Sequence, residues 1–235
     1  MTYVTSDIHG CYKEFLRMLE KIAFTDGDTL FIIGDVVDRG KDGIKLLQDL
    51  MLRPNIYLLM GNHEYRMTAL LRSLPPHASI DTFMAFLDGK QLQDFALWMS
   101  NGGRPTFEAY MALNEDAKSD ILDFLEELPL YDELLANGKE YILVHSGLAN
   151  FHKDKPLSEY RPDELLFERM PPDTQYYDDK TVLAGHTPTF SINKTRAGKI
   201  HHAANFINID CGCFAREDGG RLGCIRLEDM AEFYI

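Results

Sequence analysis

Long hydrophobic runs are missing from this 235-residue sequence. No stretch reaches the roughly 18 consecutive apolar residues that a membrane-spanning helix needs. The first ten residues, MTYVTSDIHG, carry neither the basic n-region nor the apolar h-region of a signal peptide. We therefore expect a cytoplasmic protein without a membrane partner.

Cysteine is scarce and its spacing is uninformative for metal binding. The four cysteines include no C-x-x-C pair, and Cys211 and Cys213 are separated by a single glycine. Zinc sites and redox pairs normally show wider, characteristic spacings. We expect four thiols that act mainly as small buried hydrophobic side chains.

Positive charge is also in short supply, since 24 Lys and Arg stand against 37 Asp and Glu, giving a net charge of −13. An electrostatic nucleic-acid binder needs a basic surface, so nucleic acid is not an expected partner and a nuclease is disfavoured. Phosphate chemistry is still possible, because bound cations can reverse the charge of one site.

The apolar pattern of the first 60 residues predicts an α/β fold. Short runs at 2–6, 29–33 and 56–60 are rich in β-branched residues and end in turn formers, which is typical of buried strands. Apolar residues between the first two runs follow a helical period, and a second helix fits 41–53. The order β-α-β-α-β favours a partly parallel sheet covered by helices.

The middle of the chain, about 64–128, reads as a helical insertion in which Asn114 is a candidate N-cap. No Gly/Ser/Pro-rich linker isolates it, so residues 1–235 are expected to form one domain. Asn137-Gly138 predicts a tight hairpin, and 150–180 predicts a loop with a short helix. Further strands are expected at 181–184, 206–209 and 223–228.

Each of five predicted strands ends in polar side chains that can bind metals or transfer protons. They are Asp7 and His9; Asp35, Asp38 and Arg39; Asn62 and His63; His145; and His186. Because sites in open α/β sheets form at the carboxyl ends of strands, folding should gather these side chains. Asp, Asn and His together suit Mn²⁺, Fe²⁺ or Zn²⁺.

The number of candidate ligands exceeds what one tetrahedral ion needs, so two ions are the better expectation. Two-metal sites typically clamp an in-line displacement at phosphorus and lower the pKa of the attacking water. Taken singly, each motif has a plainer interpretation as a polar turn or a structural histidine. Five strand ends of one kind, in order along the chain, favour the metal site.

The motifs DIHG, GDVVDRG, GNHE, VHSG and GHT resemble those of the calcineurin-like metallophosphoesterases, specifically the phosphoprotein phosphatase branch. Their order and spacing are similar to those of small bacterial and bacteriophage-lambda-type serine/threonine phosphatases. The resemblance implies mixed β-sheets in a β-sandwich flanked by helices.

The resemblance also implies a role for each residue. One ion would be held by Asp7 and His9, a second by Asn62, His145 and His186, with Asp35 bridging the two. His63 would be the general acid and Asp38 would orient it, while Arg39 and Asn62 would bind phosphate. A second phosphate-binding arginine is assigned to Arg169, with Arg161 as the alternative; either could instead be a solvated surface residue.

The implied activity is that of a serine/threonine phosphatase in which a metal-bridging hydroxide attacks phosphorus. Mn²⁺ is the favoured metal, with Fe or Zn as alternatives, and the partner is a phosphorylated protein or a small phosphoester. The alternative is a symmetrical diadenosine tetraphosphate hydrolase, whose nucleotide pocket could come from the 72–110 region through Trp98, Asn101 and Arg104. A helix end closed by a glycine turn is the plainer interpretation of that segment. A metal-free scaffold is disfavoured because every ligand position is filled.

Overall fold

The computed structural model describes residues 1–75, 77–171, 173–192 and 198–235. Its strands, in chain order, are β1 (Thr2–Thr5), β2 (Thr29–Ile32), β3 (Ile56–Leu58), β4 (Tyr131–Ala136), β5 (Lys139–Val144), β6 (Lys180–Ala184), β7 (His201–His202), β8 (Phe206–Asn208), β9 (Gly223–Arg226) and β10 (Ala231–Tyr234).

The helices are α1 (Tyr12–Lys21), α2 (Gly43–Leu50), α3 (Asn62–Leu71), α4 (Gly89–Ser100), α5 (Arg104–Met111), α6 (Glu115–Glu126), α7 (Pro162–Leu166) and α8 (Thr189–Ile192). Within the described ranges, no helix is long and apolar enough to cross a membrane.

The strands form two mixed five-stranded sheets, ordered β10-β9-β1-β2-β3 and β4-β5-β6-β8-β7. In the first sheet β1, β2 and β3 run parallel, as the β-α-β-α-β pattern predicts, and β9 is antiparallel to β1. In the second sheet β5, β6 and β8 run parallel, with antiparallel strands at both edges. Both sheets therefore carry the side-by-side parallel strands whose carboxyl ends can build one site.

Side-chain alternation along the strands explains why the two sheets stack. In β1, Val4 faces the core between the sheets while Tyr3 faces the helices. In β5, Leu143 faces the same inter-sheet core while Ile142 faces the opposite layer. Successive strand residues point to opposite faces, so each sheet buries apolar side chains on both sides. This two-sheet, helix-covered arrangement confirms the predicted α/β fold.

The predicted insertion is helical and packs on the first sheet. Its buried side chains Trp98, Phe107 and Leu125 share one apolar core with Phe15 of α1. As predicted, the Asn114 side chain caps α6 by accepting a hydrogen bond from the Ala117 N–H at 2.9 Å. That the whole chain forms one domain stays a prediction.

Most predicted elements lie where the sequence placed them. Asn137 and Gly138 form the β4–β5 turn with φ of 48° and 73°, the left-handed values that a tight hairpin requires. The helix predicted at 41–53 is shorter, Gly43–Leu50. β10 was not predicted, and the His201-His202 pair lies in the short edge strand β7 beside β8.

Candidate metal centre

Residues from five strand ends meet in one buried cluster, as predicted. Asp7 follows β1, Asp35 follows β2 and Asn62 follows β3, while His145 and His186 follow β5 and β6 of the second sheet. All but the partly buried His186 are at most 5% exposed. Stacking the two sheets brings the carboxyl ends of both sets of parallel strands to the same place.

Asp35 lies at the middle of this cluster. Its Oδ2 atom is 3.7 Å from His9 Nε2 and 3.4 Å from His145 Nε2. Two groups of possible ligands share it, one with His9 and His63 and one with His145 and His186; within each group the ligand atoms lie within 4.8 Å of one another. A single carboxylate between two groups is the geometry expected of a bridging ligand.

Backbone carbonyl groups orient two of the imidazole rings. His9 Nδ1 lies 2.9 Å from the Val37 carbonyl oxygen, and His145 Nδ1 lies 2.9 Å from the Ile33 carbonyl oxygen. When each Nδ1–H donates to its carbonyl, Nε2 is the ring nitrogen that remains on the side of Asp35 to bind a metal. This is the outer hydrogen bond that metal-binding histidines usually make.

The second ligand group gives a direct test of fit to a cation. His186 Nε2 lies 3.2 Å from the Phe167 carbonyl oxygen, so that donation leaves Nδ1 with a lone pair. That Nδ1 is 2.8 Å from Asn62 Oδ1 and 3.2 Å from His145 Nε2. Three possible ligand atoms thus converge from different strands. Asp35 and Asp7 favour a proton on His145, and a divalent ion bound by all three atoms would take the place of that positive charge, so the donor set fits a metal.

Burial and neighbouring charges shift the pKa values of the acids and imidazoles in this cluster. Burial, followed by the charge of Asp35, raises the pKa of Asp7 to about 6. Burial alone would lower the pKa of His145, but Asp35 and Asp7 raise it to about 10. Burial also opposes ionisation of Asp35, yet His145 and His63 hold its pKa well below the usual range.

His63 and Asp38 form the predicted pair. His63 Nδ1 lies 2.6 Å from Asp38 Oδ2, and its other nitrogen, Nε2, faces the cluster at 3.8 Å from Asp35 Oδ2. Burial would lower the pKa of His63, but Asp35 and Asp38 outweigh it and raise that pKa. A protonated Nε2 directed at the substrate position is what a general acid needs.

Arg39 reaches into the cluster between two imidazoles. Its Nη1 is 2.6 Å from His9 Nε2 and its Nη2 is 3.3 Å from His63 Nε2. The guanidinium carbon lies 4.1 Å above the centre of the Phe214 ring, an aromatic contact that supports the planar group. A metal bound at His9 Nε2 would displace Nη1 and leave the guanidinium free to bind phosphate oxygens.

The two candidates for a second phosphate-binding arginine have different surroundings. Arg161 is exposed and its Nε and Nη2 pair with Asp163 at 2.9 and 2.8 Å. Arg169 is exposed too, but its charge acts on His186. Burial, followed by the charge of His145, lowers the pKa of His186 to about 3, and Arg169 contributes to that lowering. The surroundings favour Arg169, which remains a prediction.

The structure contradicts the alternative interpretation of Trp98, Asn101 and Arg104 as a nucleotide pocket built around Trp98. Trp98 is fully buried, and its Nε1–H donates to Asp38 Oδ2 at 2.7 Å. The plainer interpretation holds, since α4 ends at Ser100 and Gly102 adopts φ of 96°. The Gly102 carbonyl accepts a hydrogen bond from the Arg39 backbone N–H at 2.8 Å, so this segment helps to fix the backbone of Arg39 instead.

Glu64 has a larger role than its sequence position suggested. Its buried carboxylate accepts hydrogen bonds from the backbone N–H groups of Asp35, Val36, Val37 and Gly61 at 2.8–3.1 Å. It thereby ties the loop after β2 to the start of α3. The sequence places Glu64 at a favourable helix N-terminus, but nothing in it indicates the contact with residues 35–37.

Asp210 is a second buried acid that sequence reasoning left out of the site. Its Oδ1 accepts from Gly212 N–H at 2.8 Å, while its Oδ2 is buried without a hydrogen-bond partner among the described residues. Burial and the charge of Asp7 raise its pKa well above the usual range. Asp210 therefore adds a further acid beside Asp7, a candidate ligand.

Several candidate residues adopt a left-handed backbone, which non-glycine residues rarely do. They are Asp7 (φ 51°), His9 (46°), Asp35 (56°), Asp38 (67°), Arg39 (65°) and His186 (63°). Such conformations typically cost about 1–3 kcal/mol each and concentrate at functional sites. Sharp reversals right after the strands turn these side chains back toward one another.

Comparison with known proteins agrees with this geometry. The family model described as calcineurin-like phosphoesterase matches residues 2–208. A symmetrical bis(5′-nucleosyl)-tetraphosphatase from Buchnera aphidicola subsp. Schizaphis graminum is 38% identical over 99 residues. That match covers 41% of this chain and only 36% of the relative's length.

Two solved structures share the fold. A candidate diadenosine tetraphosphatase superposes with a TM-score of 0.65 at 20% identity, covering 100% of this chain and 92% of the other. A serine/threonine phosphatase from Saccharomyces cerevisiae gives a TM-score of 0.61 at 18% identity, covering 97% and 72%. At these identities the likeness concerns the fold alone.

Proposed function

This chain belongs to the calcineurin-like phosphoesterase family, and we propose that it hydrolyses symmetrical dinucleoside polyphosphates such as diadenosine tetraphosphate. The observation that carries the chemistry is the pair of ligand groups sharing Asp35. The name of the Buchnera relative supports the choice of substrate.

The proposed ligand assignment changes the first of the two groups and extends the second. Asp7, whose Oδ1 is 3.8 Å from His9 Nε2, would replace His63 and hold one divalent ion with His9. Asn62 would join His145 and His186 in holding the other ion, with Asp35 shared. Mn²⁺ is the favoured metal and Fe or Zn are alternatives, since this mixture of oxygen and imidazole ligands accepts all three. When bound, such a pair of ions supplies Lewis-acid stabilisation of the phosphoryl oxygens and an activated water at neutral pH.

The chain's own groups then bind and protonate the substrate. Arg39 offers a planar fork of N–H donors to the phosphate oxygens, steadied by the Phe214 ring. His63 Nε2 donates a proton to the leaving oxygen, and Asp38 holds the ring through Nδ1. Trp98 in turn fixes Asp38 through its indole N–H. Arg169 is the proposed second phosphate-binding arginine.

A serine/threonine protein phosphatase, the first choice from the sequence, becomes the second candidate. It keeps the support of the full GDVVDRG and GNHE motifs at 34–40 and 61–64. The yeast phosphatase shares only the fold at 18% identity. The tetraphosphatase match at 38% identity therefore favours the dinucleotide substrate.

The test combines metal binding with a substrate panel. Metal-free protein is titrated with Mn²⁺ and assayed on diadenosine tetraphosphate, a phosphoserine peptide and a phosphothreonine peptide. We expect activity to saturate near two ions per chain and the tetraphosphate to yield two ADP. Asp35→Asn should abolish turnover, whereas Asp120→Asn, an exposed aspartate on α6, should not.

Faster turnover of the peptides would move the assignment to the second candidate and leave the metal centre unchanged. Mn²⁺ binding without turnover of any of the three substrates would overturn both candidates. Full activity of Asp35→Asn would overturn the shared-ligand geometry itself.

A further inference from the structure

A cavity of about 310 Å³ lies beside the metal centre, between α3, α4 and the segment that follows α7. Its lining is Tyr65, Arg66, Ala69, Leu70, Gln91, Asp94, Leu97 and Phe167. This volume is at the small end of the range for ligand pockets. It suits one heterocycle rather than a whole dinucleotide.

The cavity is coupled to the metal centre through two of its walls. Phe167 provides the carbonyl oxygen that lies 3.2 Å from His186 Nε2. Tyr65 follows Asn62 and His63 within the first turn of α3. Two residues of the cavity wall therefore lie next to residues of the candidate metal centre.

Aromatic and cationic planes line one side of the cavity. The Tyr65 and Phe167 rings meet edge to face at 5.9 Å, and the Arg66 guanidinium lies 5.3 Å from the Phe167 ring centre. Tyr65 is 39% exposed, so its ring surface is accessible. Exposed aromatic rings and guanidinium planes are surfaces on which nucleobases stack.

The α4 wall adds a hydrogen-bond donor and an acceptor one helical turn apart. The Gln91 Oε1 atom already accepts from Asp88 N–H at 2.9 Å, which leaves the Gln91 amide NH₂ as a donor. Asp94 contributes a carboxylate that can only accept when ionised. Residues three apart share a helix face, so both groups border the same cavity.

We propose that this cavity binds a nucleobase of the substrate, with a preference for adenine. The ring stacks on Tyr65 with the perpendicular Phe167 ring at its edge, its exocyclic amine donates to Asp94, and a ring nitrogen accepts from Gln91. Adenine presents an amine donor next to a ring-nitrogen acceptor, which matches this pair. The proposal rests on the proposed function only for the position of the phosphates.

The test measures inhibition rather than turnover of the dinucleotide. The Mn²⁺-loaded protein hydrolyses p-nitrophenyl phosphate while ADP, IDP or pyrophosphate is added as a competitor. ADP and pyrophosphate share the diphosphate, so their ratio isolates the nucleoside. IDP replaces the exocyclic amine by a carbonyl and the adjacent N1 acceptor by an N–H donor, so it inverts the hydrogen-bonding edge of the base. Tyr65→Leu is compared with Tyr57→Leu, a tyrosine 50% exposed on β3 and outside the cavity.

We expect wild-type protein to bind ADP more tightly than pyrophosphate. Tyr65→Leu should weaken ADP about tenfold, the typical contribution of one stacked base, and change pyrophosphate by less than about twofold. Tyr57→Leu should change neither. Asp94→Asn should remove the preference for ADP over IDP, while Asp120→Asn should preserve it.

Equal inhibition by ADP and pyrophosphate in the wild type would overturn the proposal. Equal weakening of both by Tyr65→Leu would also overturn it, because that residue would then act through the metal centre. If ADP binding depends on Tyr65 but diadenosine tetraphosphate is not cleaved, the base site stands and the proposed function fails. If diadenosine tetraphosphate is cleaved but ADP binding does not depend on Tyr65, the proposed function stands and the base site fails.

Discussion

His63 is the residue at which position and chemistry can be tested most directly. Its Nδ1 is held by Asp38 at 2.6 Å, and its Nε2 faces Asp35 and Arg39. The same ring belongs to one of the two possible ligand groups. A ligand and a general acid respond differently to substitution, so one variant distinguishes them.

We predict that His63→Asn keeps the bound metal but loses about 10²–10⁴-fold in kcat on a phosphoserine peptide, the usual contribution of proton transfer. This substrate of the second candidate function is used because its alkoxide leaving group needs a proton. An aryl phosphate, whose leaving group needs little protonation, should lose much less. Metal content and kcat on both substrates are measured together, with His77→Asn, an exposed histidine, as the control.

Equal losses of kcat on the two substrates would contradict the acid role. Loss of one metal ion together with activity would make His63 a ligand instead. Either result leaves Asp38 as the group that orients the ring, since its contact is to Nδ1 and not to Nε2.

At the scale of elements, the site depends on how closely the ends of β1 and β6 approach. Gly185 follows β6, and a side-chain carbon built there would overlap Ser6 Oγ and Asp7 Oδ2. The next residue, His186, donates its backbone N–H to Asp7 Oδ2 at 3.0 Å. The two sheets thus meet at a point with no room for a methyl group.

We predict that Gly185→Ala displaces Asp7 and weakens binding of the ion proposed to be held by Asp7, by at least about tenfold, or 1.4 kcal/mol. Gly89→Ala is the matched control, because a carbon added there meets nothing within 4 Å. Mn²⁺ titration by calorimetry measures the change, and circular dichroism verifies that both variants are folded. Unchanged Mn²⁺ affinity in folded Gly185→Ala would show that the two strand ends can separate without cost to the centre.

The elements that were predictable from sequence are those set by local patterns. β1, β2 and β3 are short β-branched runs bounded by turn formers, and the hairpin turn has the Asn137-Gly138 pair. β10 is four residues long, Ala231–Tyr234, with partly buried and exposed residues that give no apolar run. Its pairing with β9 is what makes it a strand.

The candidate site also has a part that was predictable from sequence and a part that was not. The strand-end rule brings the ligands together, because it depends on parallel strands and not on side-chain detail. The supporting contacts link distant residues: Trp98 reaches Asp38 across 60 positions, and Glu64 reaches Val36 across 28. No local pattern encodes such contacts, so the sequence did not indicate that Trp98 holds Asp38.

For the whole molecule, the dominant feature is negative charge. The chain carries a net charge of −13. Asp7, Asp35 and Asp210, which lie at or beside the candidate centre, are each only 1% exposed. Buried carboxylates stabilise a fold only when cations or donors compensate them. A metal ion that binds the folded state and not the unfolded chain should therefore stabilise the whole molecule.

We predict that Mn²⁺ at 100 times its dissociation constant adds about 2.7 kcal/mol of unfolding free energy per site. For a domain of this size that corresponds to a rise in Tm of roughly 5–10 °C. Differential scanning fluorimetry with Mn²⁺ and then with excess chelator measures the shift and its reversal.

The control must distinguish Mn²⁺ binding at the candidate centre from Mn²⁺ binding at the acidic surface, because a chain with 37 Asp and Glu offers weak sites elsewhere. Asp35→Asn keeps the Oδ1 that accepts the His63 N–H at 3.1 Å but loses the shared negative oxygen. It should lose most of the Mn²⁺-dependent rise in Tm, whereas exposed Asp120→Asn should keep all of it. An equal rise in both variants would assign the stabilisation to surface carboxylates and contradict a metal centre built around Asp35.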